Sequence, residues 1–278
     1  MTHSKFSKTP LVIAVAASVL LGACAAKKKE YVERPVESLY NEAMDSLLIR
    51  DYSEAINKFD EVERQHPYSQ WSNKSQLMAA YTYYLANRYS DAIVSLERFI
   101  QLHPTSRDVP YAFYLKGLSY YEQISDVARD QQMTQLALST LDELVKRYPK
   151  SKYARDAKVK LDLTHDHLAG KEMEIGRYYE TQRRYLAAIN RFKVVLEYYQ
   201  TTTHVPEALH RLTEAYLAIG VEEEARRTAA VLGHNYPGSE WYVDTYALFG
   251  GADVPRGDVT AKGEKNGAKG KKPWYKFW

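Results

Sequence analysis

Between Trp71 and Ser106 the chain reads as a helix, a tight turn at Asn87-Arg88-Tyr89-Ser90 and a second helix closed by Pro104. Ala80 and Ala92 are small where two helices must approach, and Tyr83 and Phe99 supply the bulk around them. Asp91 falls in the first turn of the second helix, where negative charge meets the helix dipole. One such hairpin cannot bury both faces, so it must stack on others of its kind. The chain supplies them. The first-helix mark recurs at Ala43, Ala80, Gly117, Gly176 and Thr213, and the second-helix mark at Ala55, Ala92, Ala137, Ala188 and Ala225. In four of the five units 12 residues separate the two marks. The closing turn recurs as His66-Pro67-Tyr68-Ser69, His103-Pro104-Thr105-Ser106, Tyr148-Pro149-Lys150-Ser151 and Tyr236-Pro237-Gly238-Ser239.

This spacing, with Tyr83, Tyr120, Tyr179 and Tyr216 each three residues after the first-helix mark, resembles the tetratricopeptide repeat. The expected fold is all-α, an α-solenoid of five tetratricopeptide (TPR) helical hairpins with a C-terminal capping helix. The expected units are residues 36–70, 71–107, 108–151, 152–203 and 204–239, with the cap at 240–249. A cap of this kind closes the open end of a stack.

Two units depart from the pattern. Gly117 and Ala137 are 20 residues apart, and the surplus falls in the polar stretch Gln123 to Gln132, read as an extended surface loop. Ala137 and Gly176 are 39 residues apart where 25 is usual. The additional 14 residues come close to four helical turns and keep the apolar face in phase. Tyr153 to about Gln182 therefore reads as one long helix with an overhang, or as two helices broken at Gly170, which costs about 1 kcal/mol relative to Ala.

Residues 1–23 read as a signal peptide. Lys5 and Lys8 precede an apolar run, Leu11 to Leu21, too short to span a bilayer comfortably. Leu21-Gly22-Ala23-Cys24 resembles the bacterial lipoprotein signal, which implies cleavage before Cys24 and acylation of that cysteine, palmitate included. The alternative is a plain secretory signal. Each buried methylene contributes roughly 0.8 kcal/mol, so several acyl chains hold a protein to a bilayer without a spanning helix. Ala25 after the cysteine implies transport to the outer membrane, facing the periplasm. Residues 24–35 read as a lipidated tether, and 250–278 as a disordered basic-aromatic tail. The tail carries seven basic and three acidic groups, and residues 24–249 sum to −3, so a nucleic-acid surface is not expected on the repeats.

The expected answer to the question of catalysis is no. The sequence has no GxSxG, glycine-rich phosphate loop or HExxH, and no segment is left to hold a murein hydrolase domain. His165 and His167 lie two apart on a helix and diverge, which makes a poor metal pair. No metal and no cofactor are expected. What remains is surface. In tetratricopeptide proteins the first helix of each hairpin lines a groove, which the resemblance carries to Tyr40, Met44 and Leu47, then Leu77, Tyr81 and Tyr84, then Tyr111, Tyr114, Leu118 and Tyr121. In the later repeats it gives Met173, Arg177 and Glu180, then Glu207, His210, Glu214 and Leu217. Tyrosine offers apolar area with a polar tip and loses little side-chain entropy on contact. Tyr40, Tyr81, Tyr84, Tyr111, Tyr114 and Tyr121 are therefore the candidate substrate groove, the alternative being that they pack within the array.

The lipid signal, the five repeats and the two irregular units together resemble the BamD family, the lipoproteins of the outer-membrane β-barrel assembly (BAM) machinery. The most specific residues are Tyr148-Pro149-Lys150-Ser151-Lys152-Tyr153 with Asp156-Ala157, Ala169 with Glu172, and Tyr178-Tyr179 before Ala187-Ala188-Ile189-Asn190-Arg191. Asn235-Tyr236-Pro237-Gly238-Ser239-Glu240-Trp241 adds to them, and the tail lies outside the match. The resemblance implies binding to the POTRA domains of BamA, company with other BAM lipoproteins, and receipt of unfolded outer-membrane β-barrel proteins. It places Arg191 against a carboxylate of BamA. The rival reading is another periplasmic TPR lipoprotein scaffold, acting in cell-envelope constriction or peptidoglycan maintenance.

Overall fold

The computed structural model describes residues 33–250. The signal segment, Cys24, the tether up to residue 32 and the tail from residue 251 lie outside the described residues. Eleven helices run in order among the described residues, with no strand: α1 Val36–Leu48, α2 Tyr52–Gln65, α3 Gln70–Leu85, α4 Tyr89–Leu102, α5 Val109–Tyr121, α6 Gln132–Arg147, α7 Lys152–Thr181, α8 Tyr185–Tyr198, α9 Val205–Ala218, α10 Glu222–Asn235 and α11 Glu240–Leu248. Each helix packs against the next in the chain, giving five antiparallel hairpins stacked as an all-α tetratricopeptide solenoid, with α11 resting on α9 and α10.

Small residues set the closeness of each hairpin. Ala43, Ala55, Ala80, Ala92, Ala137, Ala188 and Ala225 have no exposed surface. A Cβ on Gly117 would lie 2.4 Å from Leu141 Cδ2, and one on Gly176 2.3 Å from Phe192 Cε1, so no side chain fits at either place. Thr213 is buried and returns its hydroxyl to the Leu209 carbonyl at 2.9 Å.

The turns repeat as faithfully as the helices. Within the hairpins of repeats one, two, four and five, one residue adopts positive φ: Arg50 (64°), Asn87 (58°), Arg183 (57°) and Gly220 (78°). The following N–H, of Asp51, Arg88, Arg184 or Val221, returns to the carbonyl of Ser46, Tyr83, Tyr179 or Tyr216 at 2.8–2.9 Å. This is the Schellman closure of a helix C-terminus. Between hairpins, the N–H groups of Ser69, Ser106, Ser151, Thr202 and Ser239 donate to the carbonyl three residues back at 3.0–3.1 Å. The fourth such turn, Tyr199-Gln200-Thr201-Thr202, has no proline and keeps the same geometry. Ser69 and Ser151 then cap α3 and α7 through their hydroxyl oxygens.

Helix α7 runs unbroken through Gly170 for 30 residues. Its additional turns do not project freely. Lys171 Nζ donates to the Ala128 carbonyl of the repeat-three loop at 3.0 Å, and Asp166 Oδ1 accepts from the N–H and hydroxyl of Thr203 at 2.9 and 2.7 Å. That loop is organised from inside by the buried Gln131, whose amide donates to the Asp126, Val127 and Arg129 carbonyls while its oxygen accepts from Thr134.

Candidate polypeptide-binding surface

The first helices of repeats two and three, α3 and α5, carry Tyr81, Tyr84, Tyr111 and Tyr114, and the start of α7 adds Tyr153. All five pack against one buried cluster containing Leu77, Ala112 and Leu115. Tyr153 stacks on Tyr114 with ring centroids 5.4 Å apart and leans on Tyr111 at 5.2 Å. The Tyr114 hydroxyl donates to Asp156 Oδ2 at 2.5 Å, and that of Tyr84 to Glu122 Oε1 at 3.3 Å. Each of the five is half-buried.

Burial pushes the Tyr84 phenol up to about 12, helped by the Glu122 carboxylate beside it. The phenols of Tyr111 and Tyr114 are raised too, first by burial, then by neighbouring phenols for Tyr111 and by the Asp156 hydrogen bond for Tyr114. These rings therefore stay neutral at any physiological pH. They form a platform of apolar faces with polar edges, suited to stacking on the side chains and backbone of an extended peptide.

Tyr40 and Tyr121 sit differently. Tyr40 lies against Trp71 at 4.8 Å and meets Phe59 edge-on at 5.7 Å, within the core of repeats one and two. Tyr121 lies under the Lys160 ammonium, 4.6 Å from the ring centroid. Counting from the first-helix mark misses Trp71 and Tyr153 because it reaches back only six residues: Trp71 stands nine before Ala80, and Tyr153 would stand nine before Gly176 without the 14-residue insertion. A different register finds them. Trp71, Tyr153 and Trp241 each stand two residues after a turn serine, Ser69, Ser151 and Ser239. Each then braces the first helix of the preceding repeat: Trp71 on Tyr40, Tyr153 on Tyr111 and Tyr114, Trp241 on His210 at 5.3 Å.

The later repeats present charge, with two corrections. Met173 has no exposed surface and belongs to the core of repeats four and five, one helical turn before Gly176. His210 is buried beneath α11, bonded through Nδ1 to Thr245 Oγ1 at 2.7 Å. Burial lowers its pKa, against the pull of Glu214. Between α7 and α9, Arg177 pairs with Glu207 at 2.9 Å, and Arg211 reaches Glu214 at 2.9 Å and Glu180 and Glu207 at 3.8 Å. Burial, with Glu214 and Glu207 nearby, raises Glu180 to about 7 although Arg211 and Arg177 oppose it.

Arg191 lies on α8 with its side chain 41% exposed, and its Nη1 donates to Glu172 Oε2 of α7 at 3.0 Å. His165 and His167 go separate ways, His165 against Tyr199 and His167 into a cleft beside the repeat-three loop. No group of three His, Cys, Asp or Glu side chains among the described residues is placed to hold a metal ion, and none of their helices is long and apolar enough to cross a membrane.

A family model described as YfiO, outer membrane lipoprotein, matches residues 32–232. The outer membrane protein assembly factor BamD of Caulobacter vibrioides is 53% identical over 244 residues, 86% of this chain and 79% of that protein. The protein of the same name in Rickettsia prowazekii is 44% identical over 231 residues, 83% of this chain and 92% of its own. Among solved structures, a thermophilic TPR protein of Thermus thermophilus aligns over 77% of this chain and 99% of its own, at 17% identity and a TM-score of 0.38.

Proposed function

This chain belongs to the YfiO family of outer membrane lipoproteins, and from that premise we propose that it is an assembly factor for outer-membrane β-barrel proteins, anchored through Cys24 at the periplasmic face. It binds polypeptides and transforms none of them. The observation that carries this reading is the tyrosine platform of α3, α5 and α7, whose rings can stack on the aromatic-rich ends of unfolded barrel proteins. In this reading Tyr81, Tyr84, Tyr111 and Tyr114 receive the substrate together with Tyr153. Tyr40 and Tyr121 border the surface.

The second contact is with the POTRA domains of the barrel-forming partner BamA, at Arg191. Glu172 fixes the guanidinium through one hydrogen bond and leaves further N–H donors for a partner carboxylate. A pre-positioned arginine loses less freedom on binding, which favours a hot spot. Other BAM lipoproteins complete the assembly.

Two variants test the reading separately. Arg191→Glu is expected to lower BamA co-purification from detergent-solubilised outer membranes at least tenfold with an unchanged helical CD spectrum. Equal recovery would remove Arg191 from the interface. Tyr81→Ala combined with Tyr114→Ala is expected to reduce crosslinking to a C-terminal barrel-protein peptide. Undiminished crosslinking would return the tyrosines to a purely structural role.

A further inference from the structure

On α5, Tyr114, Leu118 and Tyr121 follow one stripe, and on α7 Tyr153, Asp156 and Lys160 follow the stripe that meets it. The seam between the two helices is closed at three points. Tyr153 stacks on Tyr114, Asp156 accepts from the Tyr114 hydroxyl, and the Lys160 ammonium lies over the Tyr121 ring. At the first two points the groups satisfy each other. At the third they do not, because a ring face attracts a cation without replacing the oxygen acceptors that its N–H groups need. No ion pair or hydrogen bond among the described residues engages Lys160 Nζ, although Asp156 stands one turn back on the same helix. Lys116 of α5, by contrast, is paired with Glu97 at 3.2 Å. Lys160 is also partly buried, whereas Lys152, which lies over the Tyr153 ring, is exposed.

The neighbouring seam has the opposite sign. Between α3 and α5 the polar contact is the Glu122 carboxylate on the Tyr84 hydroxyl, which repels an anion. An anionic group that reaches the platform is therefore drawn to the far end of the α5–α7 seam, where a ring holds an ammonium in place.

We propose that Lys160 receives the C-terminal carboxylate of the bound polypeptide, so that the platform selects chain ends over internal aromatic segments. This rests on the tyrosine platform being the polypeptide site. The spacing fits an extended chain. Tyr121 and Lys160 each stand seven residues beyond the stacked pair Tyr114 and Tyr153, roughly 10 Å at about 1.5 Å per residue. An extended peptide advances about 3.3 Å per residue and turns alternate side chains to one face. With its carboxylate on Lys160, the last side chain lies beside Leu118 and Tyr121, and the one two residues back lies on the stacked pair. Asp156, between them, is left to accept from a peptide N–H.

Fluorescence anisotropy with the full chain in detergent micelles tests this. The probe is a short peptide, labelled at its N-terminus, with phenylalanine at its last and third-from-last positions, made as the free acid and as the C-terminal amide. The acid is expected to bind about fivefold more tightly than the amide, the scale of one charge-assisted contact. Lys160→Met should abolish that preference and leave the amide's affinity as it was. Lys160→Arg should keep the preference, and so should Lys152→Met, which removes the same charge at the other end of the platform, all with an unchanged CD spectrum. Acid and amide binding alike to the parent chain, a preference that survives Lys160→Met, or one that is lost in Lys152→Met would each overturn the proposal. If acid and amide bind alike while Tyr81→Ala with Tyr114→Ala weakens both, the platform stands without a carboxylate site. If that double variant weakens neither, the platform falls and the proposal falls with it.

Discussion

Replacing Gly176 and Gly170 by alanine should change stability in opposite directions, although both lie in the interior of α7. Alanine gains about 1 kcal/mol over glycine in a helix interior wherever it fits. At Gly176 it does not fit. The new Cβ would lie 2.3, 2.7 and 2.9 Å from three atoms of the Phe192 ring, and Phe192 is itself fully buried. The ring cannot swing into solvent, so α7 and α8 must part by close to 1 Å. Overpacking of that kind costs about 1–3 kcal/mol, and a separation this large puts it at the upper end. The net loss is about 1–2 kcal/mol. At about 2–4 °C per kcal/mol for a body of this size, Tm falls by about 2–8 °C. At Gly170 the nearest atom is His204 Nε2 at 3.2 Å, the far end of a partly exposed ring beside an open cleft. That ring can yield a few tenths of an ångström, and the helix gain survives, about 0.5–1 kcal/mol and about 1–4 °C. Urea unfolding followed by ellipticity at 222 nm, with thermal melts as a check, measures both. A Gly176→Ala protein as stable as its parent, or two variants that move together, would refute the reasoning.

Two further outcomes follow from single residues. Because Glu180 is raised to about 7 in the folded chain, the native state holds a proton that the unfolded state releases from pH 4.5 upward. Stability contributed by this group therefore falls as pH rises from 4.5 to 7 and stays lower above. Glu180→Gln should raise Tm at pH 8 and leave it unchanged near pH 4, in calorimetry across that range; a gap that does not vary with pH would contradict the assignment. Arg183 sits at φ 57°, where an L-residue other than Asn or Asp is strained. Arg183→Gly should stabilise by about 0.5–1 kcal/mol in chemical denaturation, and a loss instead would mean its side chain has a structural role.

Much of the fold was legible because the repeat is written in residues that have few substitutes. Alanine and glycine mark the helix crossings, and the turn serine and proline mark the boundaries. The positions where a Cβ would collide with Leu141 and Phe192 are the ones that read Gly117 and Gly176. The platform was half legible. Projecting a helix face finds Tyr81, Tyr84, Tyr111 and Tyr114. Tyr153 stays hidden because, like Trp71, it stands at the very start of its helix, before the positions that the count projects. Met173 and His210 are misplaced for a related reason. A face count assumes that every first helix presents the same stripe to solvent, and at Met173 the neighbouring helices α8 and α9 occupy it, while at His210 α11 does. The meeting of the two irregular units could not be read at all, since nothing local in Asp126 to Ala128 announces that α7 is its neighbour.

That meeting sets repeats three and four apart from the rest of the row. Elsewhere a hairpin holds its neighbour only along the shared helix faces, and a linear array of such contacts opens readily from either end. Here a loop from one unit also clasps the flank of the next through Lys171 and the Ala128 carbonyl. Separating repeat three from repeat four must break this hydrogen bond as well as the shared helix contacts, so the joint beside the tyrosine platform has one tie more than helix packing alone supplies.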